Sequence, residues 1–548
     1  MASLRTRGFQ ESWRRLKLFL IPAPTRPSGR MNLYFPDDLP FVPFAVPHSG
    51  QPRASIVIPV YNQFAHTLAC LRALAEHPPQ AAIEIIVVDD GSSDETGECL
   101  PLVDGLRYHR RARNGGFIAA CNDGASMSGG EYLVMLNNDT VPQPGWLDAM
   151  LQTFASHPQA GLVGAQLLYP DGLLQEAGGV VFADGSAWNY GRFDNPDHPR
   201  YSYLRDADYC SGAAIAIPRA LFESLGGFDT RYSPAYYEDT DLAFAVRDAG
   251  LRVLYQPLAC VVHKEGTTSG TDLGSGAKAY QIVNGEKFAH KWEQALPAQS
   301  APGQAPSPAT LHAGKRQVLI IDALTPQPDR DSGSLRLFNL IRLLQEEGAH
   351  VCFVADNPAH AGAYTEALQQ LGVETWYAPY VGNFTAFLQQ QGNRFDTVML
   401  CRHYVATAFL PLLARHAPQA RVVFDTVDLH YLRERRGAEM NGDDAMLRAS
   451  EVTRTSELAV MARADVTLVV SQVEQEWLAH EAPGRVVEVL SNLHRVAGPG
   501  EPYCQRRDLV FVGGFRHPPN VDAAVWFAQV AMPLVRERLP DVVFHCIG

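Results

Sequence analysis

The chain has 548 residues, of which 46% are hydrophobic and 19% charged, a composition typical of globular proteins that excludes overall disorder. Its formal net charge of −13 argues against a general nucleic-acid binder, which needs a surplus of lysine and arginine. The nine cysteines are scattered singly, with no C-x-x-C pair, so neither a disulfide framework nor a zinc site is indicated. A reducing cytoplasm fits this cysteine usage best.

The N-terminal residues 1–53 are expected to form a tail and lead-in. No segment has the roughly 18 consecutive apolar residues of a membrane span. Residues 11–24 carry basic residues followed by an apolar run too short for a signal peptide. Two interpretations stay open: a short amphipathic helix in peripheral contact with the inner face of the membrane, or a helix packed on the protein or a loose tail.

The next segment, residues 54–292, predicts an α/β domain. Residues 55–62 and 83–88 are β-branched runs typical of strands buried on both faces, and 64–77 between them is helical, which together predict a parallel βαβ unit. Further strands are predicted at 106–110, 132–137, 160–169, 213–218 and 251–257. This alternation of strand and helix is the basis of the fold-class prediction.

The second half of the chain predicts a separate organisation. Residues 293–316 are rich in Ala, Pro, Ser and Gln and are expected to be a linker. A second α/β pattern occupies 317–500, and a third begins at 507 and has only about forty residues, enough for one βαβ unit. We therefore expect 507–548 to be the start of an incomplete domain.

Acidic or amide residues follow two predicted strands and precede one predicted helix in the first domain. Asp89 and Asp90 follow one strand, Asn137 to Asp139 follow another, and the loop 236–241 precedes the helix. Ligands of open α/β sheets bind at the carboxyl ends of strands, which favours a functional site. Structural alternatives stay open, since Ser92 and Glu95 form a capping-box pattern and the acids at 238–241 can cap a helix.

Two of these groups suggest specific chemistry. Asp139, together with His263 after another apolar strand, offers ligands for a hard divalent cation such as Mg²⁺ or Mn²⁺. A lone turn aspartate or a lone histidine is more often structural. Glu238, Asp239 and Asp241 crowd three carboxylates into four residues, which exceeds what capping needs and suits a general base.

The order of these motifs resembles the inverting family 2 glycosyltransferases of GT-A fold, over about residues 54–290. The motifs include SIVIPVYN, VVDDGSSDET, RNGGFIAACNDGA, LVMLNNDT, CSGAAIAIPR, the segment 226–250 and VVHKEGTTSG. The resemblance implies a Rossmann-like mixed sheet and a nucleotide-diphosphate sugar donor. It implies that the donor nucleotide is held by Pro59, Tyr61, Asp89, Asp90, Asn114, Gly116, Asn137 and Asn138.

The same resemblance implies the remaining roles. Asp139 and His263 would hold Mn²⁺ or Mg²⁺, Asp239 beside Glu238 would deprotonate the acceptor hydroxyl, and Gly212 and Asp241 would support the acceptor side. The chain departs from the family at Asn137, where the first acid of the D-x-D metal motif is expected. The implied function is transfer of a sugar to a glycan or lipid-linked glycan in bacterial surface polysaccharide synthesis, with specificity in the loops at 187–212.

A competing hypothesis is a non-catalytic nucleotide-sugar or glycan-binding protein. A Rossmann dehydrogenase is disfavoured because no G-x-G-x-x-G follows the first strand. The second half, through segments such as 329–356, 422–436 and 509–527, resembles family 4 glycosyltransferases of GT-B fold, with Gly333, Asp428 and His430 at family positions. Because its C-terminal half is incomplete, we expect that module to be inactive, and a docking domain is the alternative.

Overall fold

The computed structural model describes residues 32–265, 279–303, 306–496, 498–515 and 518–548. The N-terminal segment 11–24, most of the tail before residue 54, the end of the 261–270 motif, and parts of the 293–316 and 509–527 segments lie outside these ranges. No helix in the described ranges combines the length and hydropathy needed to cross a bilayer. The chain forms two compact units: described residues up to Gly314 with Glu366–Tyr380, and Lys315–Thr365 with Val381–Gly548.

The strands of the first unit are mostly those that the sequence predicts, with short additions. They are β1 (Ala54–Val60), β2 (Ile83–Asp89), β3 (Leu106–Arg110), β4 (Tyr132–Leu136), β5 (Thr140–Pro142), β6 (Ala160–Leu168), β7 (Leu174–Glu176), β8 (Gly179–Val181), β9 (Ala187–Asn189), β10 (Arg205–Asp206), β11 (Ala214–Pro218) and β12 (Arg252–His263). The short strands β5, β7, β8, β9 and β10 are absent from the sequence-based prediction, and β12 extends further than predicted.

These strands build a mixed sheet in the order β10-β12-β6-β11-β4-β1-β2-β3, with β5 paired to β12 and β7 to β6. β1 lies between β2 and β4 and is parallel to both, whereas β11 is antiparallel to β4 and β6. The predicted parallel pairing of the first βαβ unit is confirmed. Every residue of β1 and β2 is buried, as expected for strands with apolar side chains on both faces.

The helices of the first unit flank this sheet along the chain. They are α1 (Phe64–Glu76), α2 (Thr96–Cys99), α3 (Phe117–Ser126), α4 (Trp146–Ser156), α5 (Arg219–Ser224), α6 (Glu238–Asp248), α7 (Ala279–Lys291) and α8 (Pro308–Leu311). Two apolar cores form, one containing Val57, Met135 and Ile215 and the other Ile56, Val134 and Ala216. Alternate residues of the same strands therefore enter different cores, as the two-residue period of a strand requires.

The segment expected to be a bare linker is packed where the structure describes it. Ala183 N–H donates to the Ser300 carbonyl at 2.9 Å, and Ser307 caps α8 in a reciprocal pair with Thr310. His312 is buried and its Nε2 lies 2.8 Å from the Tyr203 hydroxyl. Composition alone did not reveal these tertiary contacts, which make the segment part of the first unit.

The second unit contains a parallel sheet. Its strands, with the neighbouring β15, are β13 (Gln317–Asp322), β14 (His350–Ala355), β15 (Glu374–Trp376), β16 (Thr397–Cys401), β17 (Arg421–Asp425), β18 (Val466–Val469), β19 (Val487–Val489), β20 (Leu509–Val512) and β21 (Phe544–Ile547). β14, β13, β16, β17, β18 and β19 are neighbours in that order and run parallel. β20 and β21 form a separate parallel pair.

Helices alternate with these strands. They are α9 (Ser332–Glu346), α10 (Ala363–Gln370), α11 (Phe384–Gln391), α12 (His403–His416), α13 (His430–Asn441), α14 (Asp444–Met461), α15 (Gln472–Glu481), α16 (Pro518–Trp526) and α17 (Met532–Arg538). The alternation confirms an α/β organisation for the second half. The more specific GT-B prediction is not established by this topology.

Candidate active site

The carboxyl ends of β1, β2 and β4 lie side by side because these neighbouring strands are parallel. The polar residues that follow β2 and β4 therefore reach one edge of the sheet, as the sequence predicts. From β1, Tyr61 also reaches this edge with 44% of its surface exposed, whereas Pro59 is buried inside the strand. The Tyr61 side chain is therefore accessible to the predicted sugar donor, whereas the protein encloses the Pro59 side chain.

The two adjacent aspartates after β2 have different surroundings. Asp89 is fully buried, and its carboxylate accepts from Ser92 N–H at 2.8 Å and from the Tyr108 hydroxyl, with Arg110 3.3 Å away. These contacts use both oxygens inside the protein. Asp89 therefore holds β2, β3 and the following turn together, and its contact with a nucleoside stays a prediction.

Asp90 instead shapes the loop before α3. Its carboxylate accepts from Gly115 N–H at 2.9 Å and Gly116 N–H at 2.7 Å, and pairs with Arg111. The Asn114 side chain beside it is exposed and accepts from Gly116 N–H at 3.1 Å. Asp90, Asn114 and Gly116 thus form one connected loop, and its contact with a nucleoside stays a prediction.

Position 116 in this loop requires glycine because of its backbone conformation and because there is no room for a side chain. Gly116 has φ of +88°, and a Cβ there would lie 2.6 Å from Pro234 Cβ. Ile118 N–H also donates to the Pro234 carbonyl at 3.3 Å. This close approach joins the Asp90 loop to the segment that leads into Asp239.

The predicted capping box is wrong. Ser92 Oγ accepts from Asn62 N–H at 2.8 Å, and the neighbouring Asp94 accepts from Phe64 N–H at 2.9 Å, at the start of α1. α2, which begins after Glu95, has no side-chain cap. The polar cluster after β2 therefore caps the helix that follows β1, a contact between residues thirty positions apart in the chain.

The three polar residues after β4 divide into one anchor and two that face the site. The buried Asn138 donates from Nδ2 to Thr67 Oγ1 at 3.0 Å, which anchors it to α1, and its donor-binding role stays a prediction. Asn137 N–H donates to the Ala213 carbonyl at 2.9 Å, while its Oδ1 is buried without a hydrogen-bond partner. An unpaired buried acceptor is costly, and such atoms are frequent where a ligand binds.

Asp139 and His263 are brought together by the pairing of β5 with β12. Thr140 is the register partner of His263, and His263 Nε2 lies 3.2 Å from Asp139 Oδ1. Gln175 Oε1, an acceptor, lies 2.8 Å from His263 Nδ1, which therefore carries the proton. With Nδ1–H held by Gln175, Nε2 is the ring nitrogen that faces the carboxylate.

These residues fit a divalent cation. A carboxylate and an imidazole nitrogen form an ordinary pair of metal ligands when the other ring nitrogen is hydrogen-bonded, as it is here. The Asn137 Oδ1 atom, which has no hydrogen-bond partner, is a further oxygen nearby in sequence. Within the described ranges no group of three or more His, Cys, Asp or Glu side chains converges on a metal position. The protein's share of such a site is therefore small, which leaves room for phosphate oxygens.

The candidate base Asp239 lies in the first turn of α6. Tyr236 and Tyr237 before it adopt φ of 76° and 71°, a conformation rare in residues with a side chain. Asp239 Oδ2 accepts from Gly212 N–H at 2.9 Å, and Oδ1 accepts from Thr240 N–H at 2.6 Å. Burial raises the pKa of Asp239 although these donors oppose the shift.

Glu238 is enclosed more completely than Asp239. It is 6% exposed and its Oε2 has no hydrogen-bond partner. Burial and the neighbouring Asp239 charge raise the pKa of Glu238 well above its ordinary value, so the pair carries its negative charge on Asp239. A single partly exposed carboxylate with raised basicity is what deprotonation of a hydroxyl requires.

The two predicted support residues take internal roles. Gly212 supplies the N–H group that holds Asp239, and Ala213 beside it receives the Asn137 N–H. Asp241 is buried and accepts from Tyr232 at 3.0 Å, Lys291 at 2.7 Å and Trp292 at 2.8 Å. Asp241 therefore fixes α6 against the end of α7, and its support of the acceptor side stays a prediction.

Sequence reasoning missed Gln175 and Glu176. Both lie on β7, and Gln175 supports His263 while Glu176 Oε1 accepts from Ser211 N–H at 2.8 Å. β7 has three residues, too few for a periodic signal, and only the Asp-Gly turn at 171–172 marks its hairpin. The pairing of β7 with β6 brings both side chains to the site.

Comparison with known proteins bears on this region of the chain. Residues 55–224 match the sequence model described as Glycosyl transferase family 2. This segment of the chain is therefore similar to family 2 glycosyltransferase domains. The matched range holds every strand-end residue after β1, β2 and β4, while Asp239 and His263 follow it. This match and the names of several relatives support a transferase.

The relatives align over part of the chain. The O-antigen biosynthesis protein RfbC of Myxococcus xanthus is 30% identical over 41% of this chain and 18% of its own length. An N-acetylglucosaminyl-diphospho-decaprenol L-rhamnosyltransferase of Mycobacterium tuberculosis is 27% identical over 39% of this chain and 75% of its own. Another curated relative, from Sinorhizobium fredii, is 31% identical over 41% of this chain and 26% of its own length, so the chain spans about a quarter of that relative and less than a fifth of RfbC.

A similar solved structure is GalNAc-T7 with UDP, GalNAc and Mn²⁺. It is 17% identical, has a TM-score of 0.38, and the alignment covers 45% of this chain and 50% of that one.

Proposed function

We propose that the first unit transfers a sugar from a nucleotide-diphosphate sugar to a hydroxyl of a glycan or lipid-linked glycan, with inversion, in bacterial surface polysaccharide synthesis. The observation that carries the proposal is the link between two candidate centres through one short segment. Gly212 N–H holds Asp239, and the Ala213 carbonyl holds Asn137, two residues before Asp139. A general base and a diphosphate site that are held by the same short segment suit a one-step displacement at the anomeric carbon.

The roles of the residues follow from their surroundings. Asp239 accepts the proton of the acceptor hydroxyl as that oxygen attacks the anomeric carbon from the face opposite the departing nucleotide. Glu238 lies in the same enclosed site, and its raised pKa keeps its carboxyl group protonated, so that a second negative charge does not form beside Asp239. The loop of Asp90, Asn114 and Gly116 and the exposed Tyr61 ring are the candidate contacts for the nucleoside.

Asp139 and His263 would hold Mn²⁺ or Mg²⁺, which when bound supplies positive charge against the diphosphate leaving group. Gln175 fixes the imidazole tautomer for this role. Lys264, whose N–H donates to the Asp139 carbonyl at 3.0 Å, brings a cationic residue to the same place. His66 is electrostatically linked to Asp139 and Lys264, and burial lowers its pKa.

The loop that follows β9 offers a candidate surface for the acceptor. Phe193 is 62% exposed with φ of 67°, and its ring stacks on Tyr169 with centroids 5.1 Å apart. Arg192 lies over the Phe193 ring and pairs with Glu265, which also accepts from Tyr169. An exposed aromatic ring held by its neighbours suits stacking on a sugar, in agreement with the predicted specificity loop.

For the second unit we retain the proposal of a family 4-like module. Gly333 lies in the first turn of α9, where a Cβ would be 3.2 Å from Val427, and His430 begins α13 beside Asp428. These positions correspond to those named by the resemblance. Loss of all transfer on changing Asp239 alone is the result expected if the second unit contributes no activity.

The test is a screen of UDP-, GDP- and dTDP-sugars for thermal stabilisation of the full chain, followed by turnover with Mn²⁺. We expect one nucleotide class to stabilise the protein and to be consumed when a glycan acceptor is added. The product anomer, read by NMR, should be inverted relative to the donor. Stabilisation without turnover under any acceptor would instead support the non-catalytic binding protein.

A further inference from the structure

Glu176 is a buried acid at the end of β7 whose contacts have no explanation in packing alone. It is 1% exposed, Oε1 accepts from Ser211 N–H at 2.8 Å, and Oε2 has no hydrogen-bond partner. A leucine or methionine of similar volume would fill the same space without the cost of burying a carboxyl group. A buried acid with one unpaired oxygen therefore points to a functional constraint.

The Ser211–Gly212 turn connects Glu176 to the candidate base. Ser211 N–H donates to Glu176, and the next amide, Gly212 N–H, donates to Asp239 Oδ2 at 2.9 Å. Consecutive amides of one turn thus hold two different carboxyl groups. The two N–H groups lie in consecutive peptide planes that meet at the Ser211 Cα, so only the two backbone dihedrals of Ser211 separate the first hydrogen bond from the second.

We propose that Glu176 is a positioning residue for Asp239, acting through the Ser211–Gly212 turn whose second amide fixes the base. This inference rests on the proposed function of the first unit. The neighbouring Gln175 places His263 in the same way, so β7 holds both the candidate metal ligand and the candidate base. One three-residue strand thus contacts both the candidate metal ligand His263 and the turn that holds the candidate base.

The charge state of Glu176 follows from its surroundings. Burial is the largest cause that raises the pKa of Glu176, to about 8, and the Asp239 charge adds to it. The charged or titratable groups that influence or face Glu176 are Arg192, Arg205, Asp239, Tyr209 and Cys210. At neutral pH the carboxyl is therefore mainly protonated, and the negative charge of this pair of acids lies on Asp239.

The raised pKa of Glu176 makes the stability of the folded chain depend on pH. In the unfolded chain Glu176 loses its proton near its ordinary value of 4.5, whereas the folded chain keeps it to about pH 8. The folded state therefore loses stability relative to the unfolded state as pH rises through that window. Above about pH 8 a second charge beside Asp239 should disturb the shared turn and lower kcat.

The experiment compares Glu176→Gln and Glu176→Met in the full chain with Glu223→Gln, an exposed acid on α5, as the control. Glu176→Gln retains an acceptor for Ser211 N–H and cannot ionise, so it should keep the kcat at neutral pH and lack the alkaline decline. Its Tm should exceed that of the wild type at alkaline pH and match it at acidic pH. Glu176→Met should lower kcat by about tenfold with unchanged donor affinity.

Three outcomes separate the hypotheses. An alkaline decline that persists in Glu176→Gln, or a Glu176→Met variant with wild-type kcat, would overturn the positioning role. If Glu176→Met does not fold, the pH profile of Glu176→Gln still decides the question. Transfer that survives in Asp239→Asn would show that the proposed function itself has failed, independently of Glu176.

Discussion

Both units contain carboxylates near the carboxyl ends of parallel strands, but the groups that hold individual carboxylates differ. In the second unit Asp425 pairs with Arg336 at 2.6 Å and Asp322 with Arg402 at 2.9 Å. In the first unit Asp239 is held by N–H and hydroxyl donors, and Asp139 faces the imidazole of His263. A guanidinium partner occurs in both units, since Asp90 pairs with Arg111, but the candidate base Asp239 differs because neutral N–H and hydroxyl groups hold it.

Replacing the base should produce the largest difference between the two units. Asp239→Asn removes the proton acceptor while its amide can still occupy the site, so we expect transfer to fall by roughly 10²- to 10⁴-fold. Donor affinity, measured by calorimetry, should change little. Asp428→Asn in the second unit is the matched control and should transfer at the wild-type rate. Donor affinity lost together with turnover would make Asp239 a binding residue instead.

Removing a guanidinium from the second unit should affect stability and leave the chemistry intact. Arg336→Met leaves the Asp425 carboxylate buried without its partner, which costs roughly 3–5 kcal/mol in comparable pairs. Arg336 and Asp425 are 2% and 1% exposed, so water cannot replace the lost contact.

The measurement is proteolysis of the second unit under increasing urea, with transfer assayed in parallel without denaturant. Arg342→Met is the control, because its pair with Glu346 spans 3.8 Å on an exposed face of α9 and should contribute less than about 1 kcal/mol. Equal urea midpoints for the two variants would contradict the structural role of the buried pair.

How accurately the sequence predicts an element of this fold depends on the length of that element. The runs at β1 and β2 are long, β-branched and buried throughout, so periodicity located them to within one or two residues. β7 has only three residues, and its place beside β6 is set by tertiary pairing. Gln175 and Glu176 were missed for this reason.

The site residues show the same limit at the level of single side chains. Asp89 and Asp90 are chemically identical neighbours, and only the fold decides which carboxylate meets Tyr108 on β3 and which meets the loop of Gly115. Motif order located Asp139, His263 and Asp239. It could not show that Asn138 and Asp241 point into the protein, because their partners Thr67 and Trp292 are distant in sequence.

The histidine tautomer gives a smaller effect within the first unit. Gln175→Ala removes the acceptor of His263 Nδ1–H, so the ring is free to rotate and we expect Mn²⁺ affinity to fall by roughly 10- to 100-fold. The measurement is activity as a function of Mn²⁺ concentration, with His263→Ala as the more severe variant. If Gln175→Ala changes kcat at saturating Mn²⁺ and leaves the Mn²⁺ requirement unchanged, the residue acts elsewhere than on the imidazole.

The smallest expected effect concerns the exposed aromatic ring. Phe193→Ala removes a stacking surface of about 1 kcal/mol, so KM for the acceptor should rise by roughly fivefold while kcat and donor affinity stay near wild type. Trp188, 53% exposed on β9, is the matched control for loss of an exposed ring outside the Tyr169 stack. Because Phe193 holds a φ of 67°, Phe193→Gly should relax the loop as well and raise KM further than alanine. An unchanged acceptor KM in both variants would move acceptor recognition away from this loop and leave Asp239 and the Ser211–Gly212 turn as its nearest defined contacts.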